Sequence, residues 1–420
     1  MFKKTINAQF LTTINFKIFL NTLGFLLFKL AFLRFWKENS LLKKEFLEFL
    51  WLKNSKIITF YNWRSAIFHC LKILNLKKDD EVIVNSYTCV SVSNAVIQSW
   101  AKIEYSQIDE KNLNLDLEEL EKNIWEKTKV IIFQHTFWSS KNFLEVLKIA
   151  KKYNILVIED CAHNISSPLL QRRGARGEVW DFSIFSSWRD KVISSVTGGF
   201  LVINNSKYFS KVSEIEKKLK PVSRTLALQN LFYNIVAYKS YKTYNIFKLW
   251  RIIMFASLKL KIIPIILNIK EKSCNFNLFN YNLPNSLAYL ARKELKKVNI
   301  YNENRKKIAK FYYENLRKIS EIKMLNFDEE NIYFGFPIFV KDSKKLYNFA
   351  RNHWIILWNF WSYSPIAPVW TNLENAKYNI KDFEIAKKVS NEILHLPNSM
   401  NINLKDAEEV VGIIRKFYNK

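Results

Sequence analysis

Between residues 56 and 203, short apolar runs alternate with stretches whose apolar residues recur at helical spacing. The runs are Lys56-Ile57-Ile58-Thr59-Phe60, Glu81-Val82-Ile83-Val84, Ile103-Glu104-Tyr105, Lys129-Val130-Ile131-Ile132-Phe133, Ile155-Leu156-Val157-Ile158 and Phe200-Leu201-Val202-Ile203. Continuous apolar runs of this kind suit strands covered on both faces. The spacing between them predicts helices over 64–77, 90–98, 115–124 and 142–153. Strand and helix in turn predict an α/β fold with a largely parallel sheet and right-handed crossovers.

The flanks read differently. Residues 1–38 are apolar but interrupted by Lys17, Asn21, Lys29 and Arg34, whereas a membrane-spanning helix needs about 20 nearly uncharged residues. They predict an amphipathic N-terminal arm, lying on a partner, on a membrane interface or on the protein's own body. Residues 39–206 hold the predicted large domain. Residues 207–272 are basic, aromatic and helix-like, an insertion that covers the site, touches membrane or caps a dimer. From 273 onward the pattern predicts one long helix over 285–315, a strand run over 332–340 and helices over 343–352 and 405–418. That reads as a smaller C-terminal α+β domain.

Composition narrows the class. The 420 residues are 49% hydrophobic, enough for a sizeable core and against global disorder. Cys70, Cys89, Cys161 and Cys274 have no CxxC or metal-ligand spacing, which suits reduced thiols in the cytoplasm. The five scattered histidines suggest no metal site. A net charge of +27 accompanies no nucleic-acid-binding motif, and it leaves anionic surfaces or phosphorylated substrates as partners.

Candidate chemistry lies near residue 190. The stretch Phe182-Ser183-Ile184-Phe185-Ser186-Ser187-Trp188-Arg189-Asp190-Lys191 starts strand-like and runs on to Thr197-Gly198-Gly199. A lysine amine held neutral in a dry pocket can condense with an aldehyde cofactor. Upstream, the run Ile155 to Ile158 continues into Glu159-Asp160-Cys161-Ala162-His163, an acid at a strand's carboxyl end, where α/β folds bind ligands. Asn62-Trp63-Arg64-Ser65-Ala66 opens a predicted helix whose free N–H groups can hold a phosphate. In order and spacing these motifs resemble the DegT/DnrJ/StrS family of sugar aminotransferases, pyridoxal-phosphate (PLP) enzymes of fold type I. The resemblance is close over residues 40–205 and looser beyond.

It implies roles residue by residue. Lys191 matches the Schiff-base lysine, and a lysine here points to transamination, since dehydratases of the family carry histidine. Asp160 matches the acid that keeps the pyridinium nitrogen protonated. His163 matches a hydrogen-bond donor to the cofactor's phenolic oxygen. Ser65, Ala66 and Ser186 match the phosphate ligands, and Cys89 the residue over the ring face. Asn280 matches an asparagine given to the neighbouring subunit's phosphate. The implied function is a PLP-dependent aminotransferase that aminates a nucleotide-linked keto sugar for surface polysaccharide synthesis. L-glutamate would be the donor, and the enzyme a cytoplasmic homodimer with optional peripheral membrane contact. A PLP-dependent sugar dehydratase or lyase of the same fold, and an inactive membrane-associated homologue, stay open as alternatives.

One feature departs from the family. There are 7 glycines against 13 tryptophans, where ordinary usage would give roughly 29 glycines. Trp63, Trp100, Trp138, Trp180 and Trp188 stand where the resemblance expects glycine, and Trp354 and Trp358 look alike. An indole would block the tight turns and close phosphate approach that glycine allows. This pattern predicts a gene in which UGA encodes glycine but has been read as tryptophan; a degenerate homologue with real tryptophans is the competing reading.

Overall fold

The computed structural model describes residues 5–7, 14–165, 181–244, 246, 249–265, 269–275, 279–329 and 331–419. Its centre is a seven-stranded sheet: β1 (Lys56–Phe60), β2 (Glu81–Asn85), β3 (Lys102–Ser106), β4 (Thr128–Gln134), β5 (Leu156–Asp160), β6 (Phe182–Ser186) and β7 (Gly199–Ile203). They lie in the order β3-β2-β4-β5-β6-β7-β1. All run parallel except β7, which is antiparallel to both neighbours. Successive side chains alternate between two cores, which is why the runs are apolar throughout. Val82, Val84, Val130, Ile132 and Ile158 enter one core, and Ile83, Ile131, Phe133 and Val157 the other.

The N-terminal helices α1 (Phe16–Phe28) and α2 (Glu38–Phe49) precede the sheet. The crossover helices α3 (Trp63–Ile73), α4 (Val90–Gln98), α5 (Leu117–Lys122) and α6 (Phe143–Lys152) follow. Asn62 caps α3 by accepting the Ser65 N–H at 3.0 Å, the standard device for an unpaired helix-start donor. Helix α3 ends earlier than its sequence pattern predicts, at a left-handed Asn75.

The insertion is helical, with α7 (Phe209–Lys218), α8 (Arg224–Lys242) and α9 (Leu249–Lys259). Helix α1 buries Ile18, Thr22 and Phe25 and packs on α8, so the N-terminal residues lie on the protein's own body. Ile6 and Asn7 pair in parallel with Ile355 and Ile356. Among the described residues no helix is long and apolar enough to cross a membrane.

The single helix expected over 285–315 is two, α10 (Asn285–Leu295) and α11 (Val298–Leu316). They serve different neighbours: α10 packs on α2, while α11 packs on the C-terminal helix α13 (Leu404–Phe417), which follows α12 (Ser343–Asn352). Each needs its own apolar face aimed, and the break at Lys296–Lys297 supplies the change of direction. Of the strand run at 332–340, β8 (Phe336–Phe339) pairs antiparallel with β9 (Ile393–Leu396). One core joins Phe25, Leu42 and Phe46 to Leu287, Ile338, Leu394 and Ile414, so both ends of the chain close over the same side of the sheet.

Candidate active site

The carboxyl ends of β4, β5 and β6, with Cys89 and Ser91 beyond β2, line one cleft of about 310 Å³. Cys89, Asp160, His163, Ser186 and Lys191, expected together from sequence, all line it. Asp160 ends β5 and is buried. Its Oδ1 accepts the Ala162 N–H at 3.0 Å, while its Oδ2 is buried with no hydrogen-bond partner. Burial pushes this carboxyl up to about 7, opposed by the Ala162 N–H, the Lys191 charge and the Trp63 indole. A carboxylate oxygen kept dry and unsatisfied is costly unless a ligand donor meets it.

Lys191 is also buried. Its Nζ lies 3.5 Å from Asp190 Oδ2 and 4.9 Å from the centre of the Phe334 ring. His163 is held between two parallel rings, Phe334 at 4.7 Å and Phe137 at 5.7 Å. Its Nδ1 accepts the Phe137 N–H at 3.3 Å. Burial, then the positive charge of Lys191, holds its pKa well below 6.5. The ring is therefore neutral, and the acceptor role of Nδ1 assigns the remaining hydrogen to Nε2.

The expected phosphate ligands divide. Ser186 lines the cleft, and its Oγ accepts the Trp188 N–H at 3.2 Å. Ser65 and Ala66 sit in the first turn of α3, fully buried, with the Ser65 hydroxyl donating to Asn62 Oδ1 at 3.0 Å. At the same helix start, Trp63 and Arg64 are the residues that line the cleft. Arg64 pairs with the buried Glu271 of the insertion, and burial lowers its pKa to about 10. Asn280 lies elsewhere, in a basic hollow with His69, Lys72, Lys218 and Lys220. Trp180 falls outside the described residues.

Gly198 and Gly199 are where the chain must pass closest. A Cβ on Gly199 would lie 2.5 Å from the Trp63 Cα, and one on Gly198 2.2 Å from Ser187 Oγ. These glycines let the β7 entry press against the α3 start and the β6 exit at once.

Sequence reasoning missed Gln134, Phe334 and Asp190. Gln134 ends β4 directly beside Asp160 in register and lines the cleft, so the strand-end rule that found Asp160 would have found it too. Phe334 carries no local signal, because its role depends on a C-terminal segment folding back over His163. Helix α8 also reaches the wall: Tyr233 sits 4.5 Å from the Arg189 guanidinium.

A mostly parallel α/β sheet thus carries a buried acid, a neutral histidine and a lysine at its carboxyl edge, a set suited to amine and proton-transfer chemistry. The chain belongs to the DegT/DnrJ/EryC1/StrS aminotransferase family, whose model matches residues 31–240 and 268–415. It is 29% identical over 250 residues to an uncharacterised protein of Methanocaldococcus jannaschii, covering 59% of this chain and 55% of that one. It is 26% identical over 203 residues to the GDP-perosamine synthase of Vibrio cholerae, covering 48% and 52%. The chain thus spans about half the length of the curated relatives it matches. Among solved structures, Helicobacter pylori PseC, an aminotransferase involved in the biosynthesis of pseudoaminic acid, superposes with TM-score 0.73 at 17% identity, over 99% of this chain and 100% of that one. DesV of S. venezuelae superposes with TM-score 0.72 at 15% identity, over the whole of both chains. These likenesses establish the fold.

Enzymes of this family are PLP-dependent. The unpartnered Asp160 Oδ2 suits a pyridinium N–H, the only kind of ring donor that a carboxylate in this position would stabilise by charge. Lys191 and the Nε2–H of His163 open on the same cleft. The ring end therefore fits the cofactor. At the α3 start, Trp63 and Trp188 also line the cleft, and the Trp63 indole reaches the Asp160 carboxyl, space that the cofactor would need.

Proposed function

We propose that this protein is a PLP-dependent aminotransferase that transfers an amino group to a keto sugar carried on a nucleotide, with L-glutamate as donor. The carrying observation is the buried, unpartnered Asp160 Oδ2 in the same cleft as Lys191. Relatives named GDP-perosamine synthase and UDP-N-acetyl-3-dehydro-alpha-D-glucosamine 3-aminotransferase support a nucleotide-linked sugar as acceptor. A relative named for spore coat polysaccharide biosynthesis supports a role in surface polysaccharide. Retention of lysine at 191 favours amine transfer over dehydration.

When bound, the cofactor supplies an electron sink for the carbon that loses its proton. Asp160 would keep the cofactor's ring nitrogen protonated, and its carboxylate would be stabilised in return by the positive charge it faced. Lys191 Nζ would hold the cofactor's aldehyde end and, when its amine is free, would serve as the proton-carrying base. His163, neutral and stacked on Phe137 and Phe334, would donate from Nε2 to the cofactor's ring oxygen. Phe360 and Trp361 give the cleft an apolar wall that would keep water from these groups. The active unit is proposed to be a homodimer, with Asn280 serving the neighbouring copy's phosphate.

The test is spectral. Protein loaded with PLP and given glutamate loses its visible cofactor band, and a keto-sugar nucleotide restores it. A band unchanged by glutamate, with no amine transferred, would reject the reading.

A further inference from the structure

The backbone divides the described tryptophans into two groups. Fifteen described non-glycine residues have positive φ, and four are tryptophans: Trp51 (61°), Trp100 (74°), Trp138 (143°) and Trp354 (67°). Four more are asparagines, drawn from a much larger pool in the chain. Asparagine tolerates this region, whereas a bulky aromatic is strained in it; Phe137 and Tyr363 are the other aromatics that adopt it among the described residues.

Three of these tryptophans share one structural role. Helix α2 ends at Phe49 with Leu50 as cap, and Trp51 follows; its N–H donates to Glu48 O at 3.1 Å while the Leu52 N–H reaches Leu47 O at 3.0 Å. Helix α4 ends at Gln98, then Ser99 and Trp100, whose N–H donates to Ile97 O at 3.2 Å. Helix α12 ends at Asn352, then His353 and Trp354, whose N–H donates to Arg351 O at 3.2 Å. This is the left-handed residue just past a helix end, the position where glycine dominates and asparagine is second. Helices α3 and α6 end in the same way on Asn75 and Asn154. The three indoles meanwhile do little packing: Trp51 is 63% exposed, Trp100 71% and Trp354 48%. Strained backbone beneath a solvent-facing indole has no packing return. Trp138 has a φ that only glycine adopts with ease.

We infer that the functional polypeptide carries glycine at 51, 100, 138 and 354, and by the same codon reading at 63 and 188. The sequence pattern had not singled out Trp51; its backbone does. For 63 and 188 the inference rests on the proposed cofactor. Residue 63 is the first of α3, with Gly199 pressed against its Cα, and the Arg64 guanidinium stands 5.9 Å from the Trp188 ring. Glycine at both positions would bare the α3 start and the Ser186 hydroxyl to an anion. Trp361 stays tryptophan: it is 2% exposed, edge-on to Tyr87, Phe137 and His163, in a conformation with negative φ.

Tryptic mass spectrometry of the protein from its own cells tests this. The expected peptides are lighter by one indolylmethyl group at each of 51, 100, 138, 354, 63 and 188, and unshifted at 361. Tryptophan masses at the three helix ends would overturn the inference; tryptophan only at 63 and 188 would overturn its cleft half. A second measurement needs no native source. In the chain as read, Trp51→Gly, Trp100→Gly and Trp354→Gly together raise the melting temperature by a few degrees, and an unchanged or lower value counts against the helix-end assignment. Trp63→Gly with Trp188→Gly then raises PLP uptake at least tenfold. Mass and melting temperature do not involve the cofactor, so an error in the proposed activity would leave them as expected.

Discussion

Glu159 and Asp160 are consecutive, equally buried carboxylates at the end of one strand, and they face opposite sides of the sheet. Glu159 is satisfied: Oε1 meets His135 Nε2 at 2.7 Å, and Oε2 accepts from Ser183 at 3.1 Å. His135 in turn meets the Ser140 hydroxyl at 3.0 Å through Nδ1. Asp160 has one oxygen without a donor. The difference separates structure from function. A buried carboxylate whose acceptor sites are filled from within the chain holds the sheet edge; one left short is kept for a ligand. The same comparison explains why His135, Glu159 and Cys161, whose ligand atoms lie within 4.8 Å of one another, do not read as a metal site: the hydrogen-bonded pair already uses those atoms.

Substitutions on the cleft side should therefore cost activity, and those behind it stability. The largest expected effect is Lys191→Ala, which lowers transamination by about 10³-fold or more while the melting temperature holds. Single-turnover transfer from glutamate measures it, and near-normal transfer would remove Lys191 from the site. Asp160→Asn follows, with a loss of about 10²-fold or more in turnover. Its effect on stability runs the other way. The Asp160 carboxyl sits at about 7 in the folded cofactor-free protein against 3.8 ordinarily. The folded state therefore binds more protons, and stability falls as pH rises from about 4 to 7. Asp160→Asn should flatten that decline and stabilise the cofactor-free protein at pH 7.5, as denaturant titrations at several pH values would show.

Glu159→Ala is the counterpart. It strands the His135 and Ser183 donors in a dry interior, and the expected cost is about 2–3 kcal/mol of folding stability, with turnover per folded molecule within about twofold. A large loss of turnover without loss of stability would erase the distinction between the two carboxylates.

How much of this was legible in the sequence follows the range of the interactions. The six apolar runs, the largely parallel sheet and the Asp160 strand end were readable because a sheet covered on both faces writes itself as runs rich in Val and Ile; the antiparallel insertion of β7 between β6 and β1 was not. Lys191 and His163 were singled out by the family resemblance, and both line the cleft. The break between α10 and α11 was not, since no proline or glycine marks it and only the different partners of the two helices require it. Nor was the Arg64–Glu271 pair, which joins the α3 start to the insertion across more than two hundred residues. Left-handed helix ends were not read either: Asn75 and Asn154 carry the residue type that favours them, while Trp51, Trp100 and Trp354 do not.

His163 gives the smallest and most discriminating effect. It contributes one hydrogen bond to a ring oxygen, so His163→Phe should cost about tenfold in turnover while keeping a ring between Phe137 and Phe334. Because burial holds the imidazole well below 6.5, it does not titrate across the working range, and the turnover profile from pH 6 to 9 should keep its shape in the variant. Stability should respond instead. A histidine buried neutral is disfavoured once the unfolded chain can protonate its own, so the native protein loses stability as pH falls through about 6.5. His69 and His395, lowered by burial to about 4 and about 3, add to that loss. His163→Phe should remove about a third of it, because one of three such imidazoles is gone. A variant that lost turnover only on the acid side, with unchanged acid lability, would show that His163 acts as a charged group, and would place it with the titrating residues of the cleft.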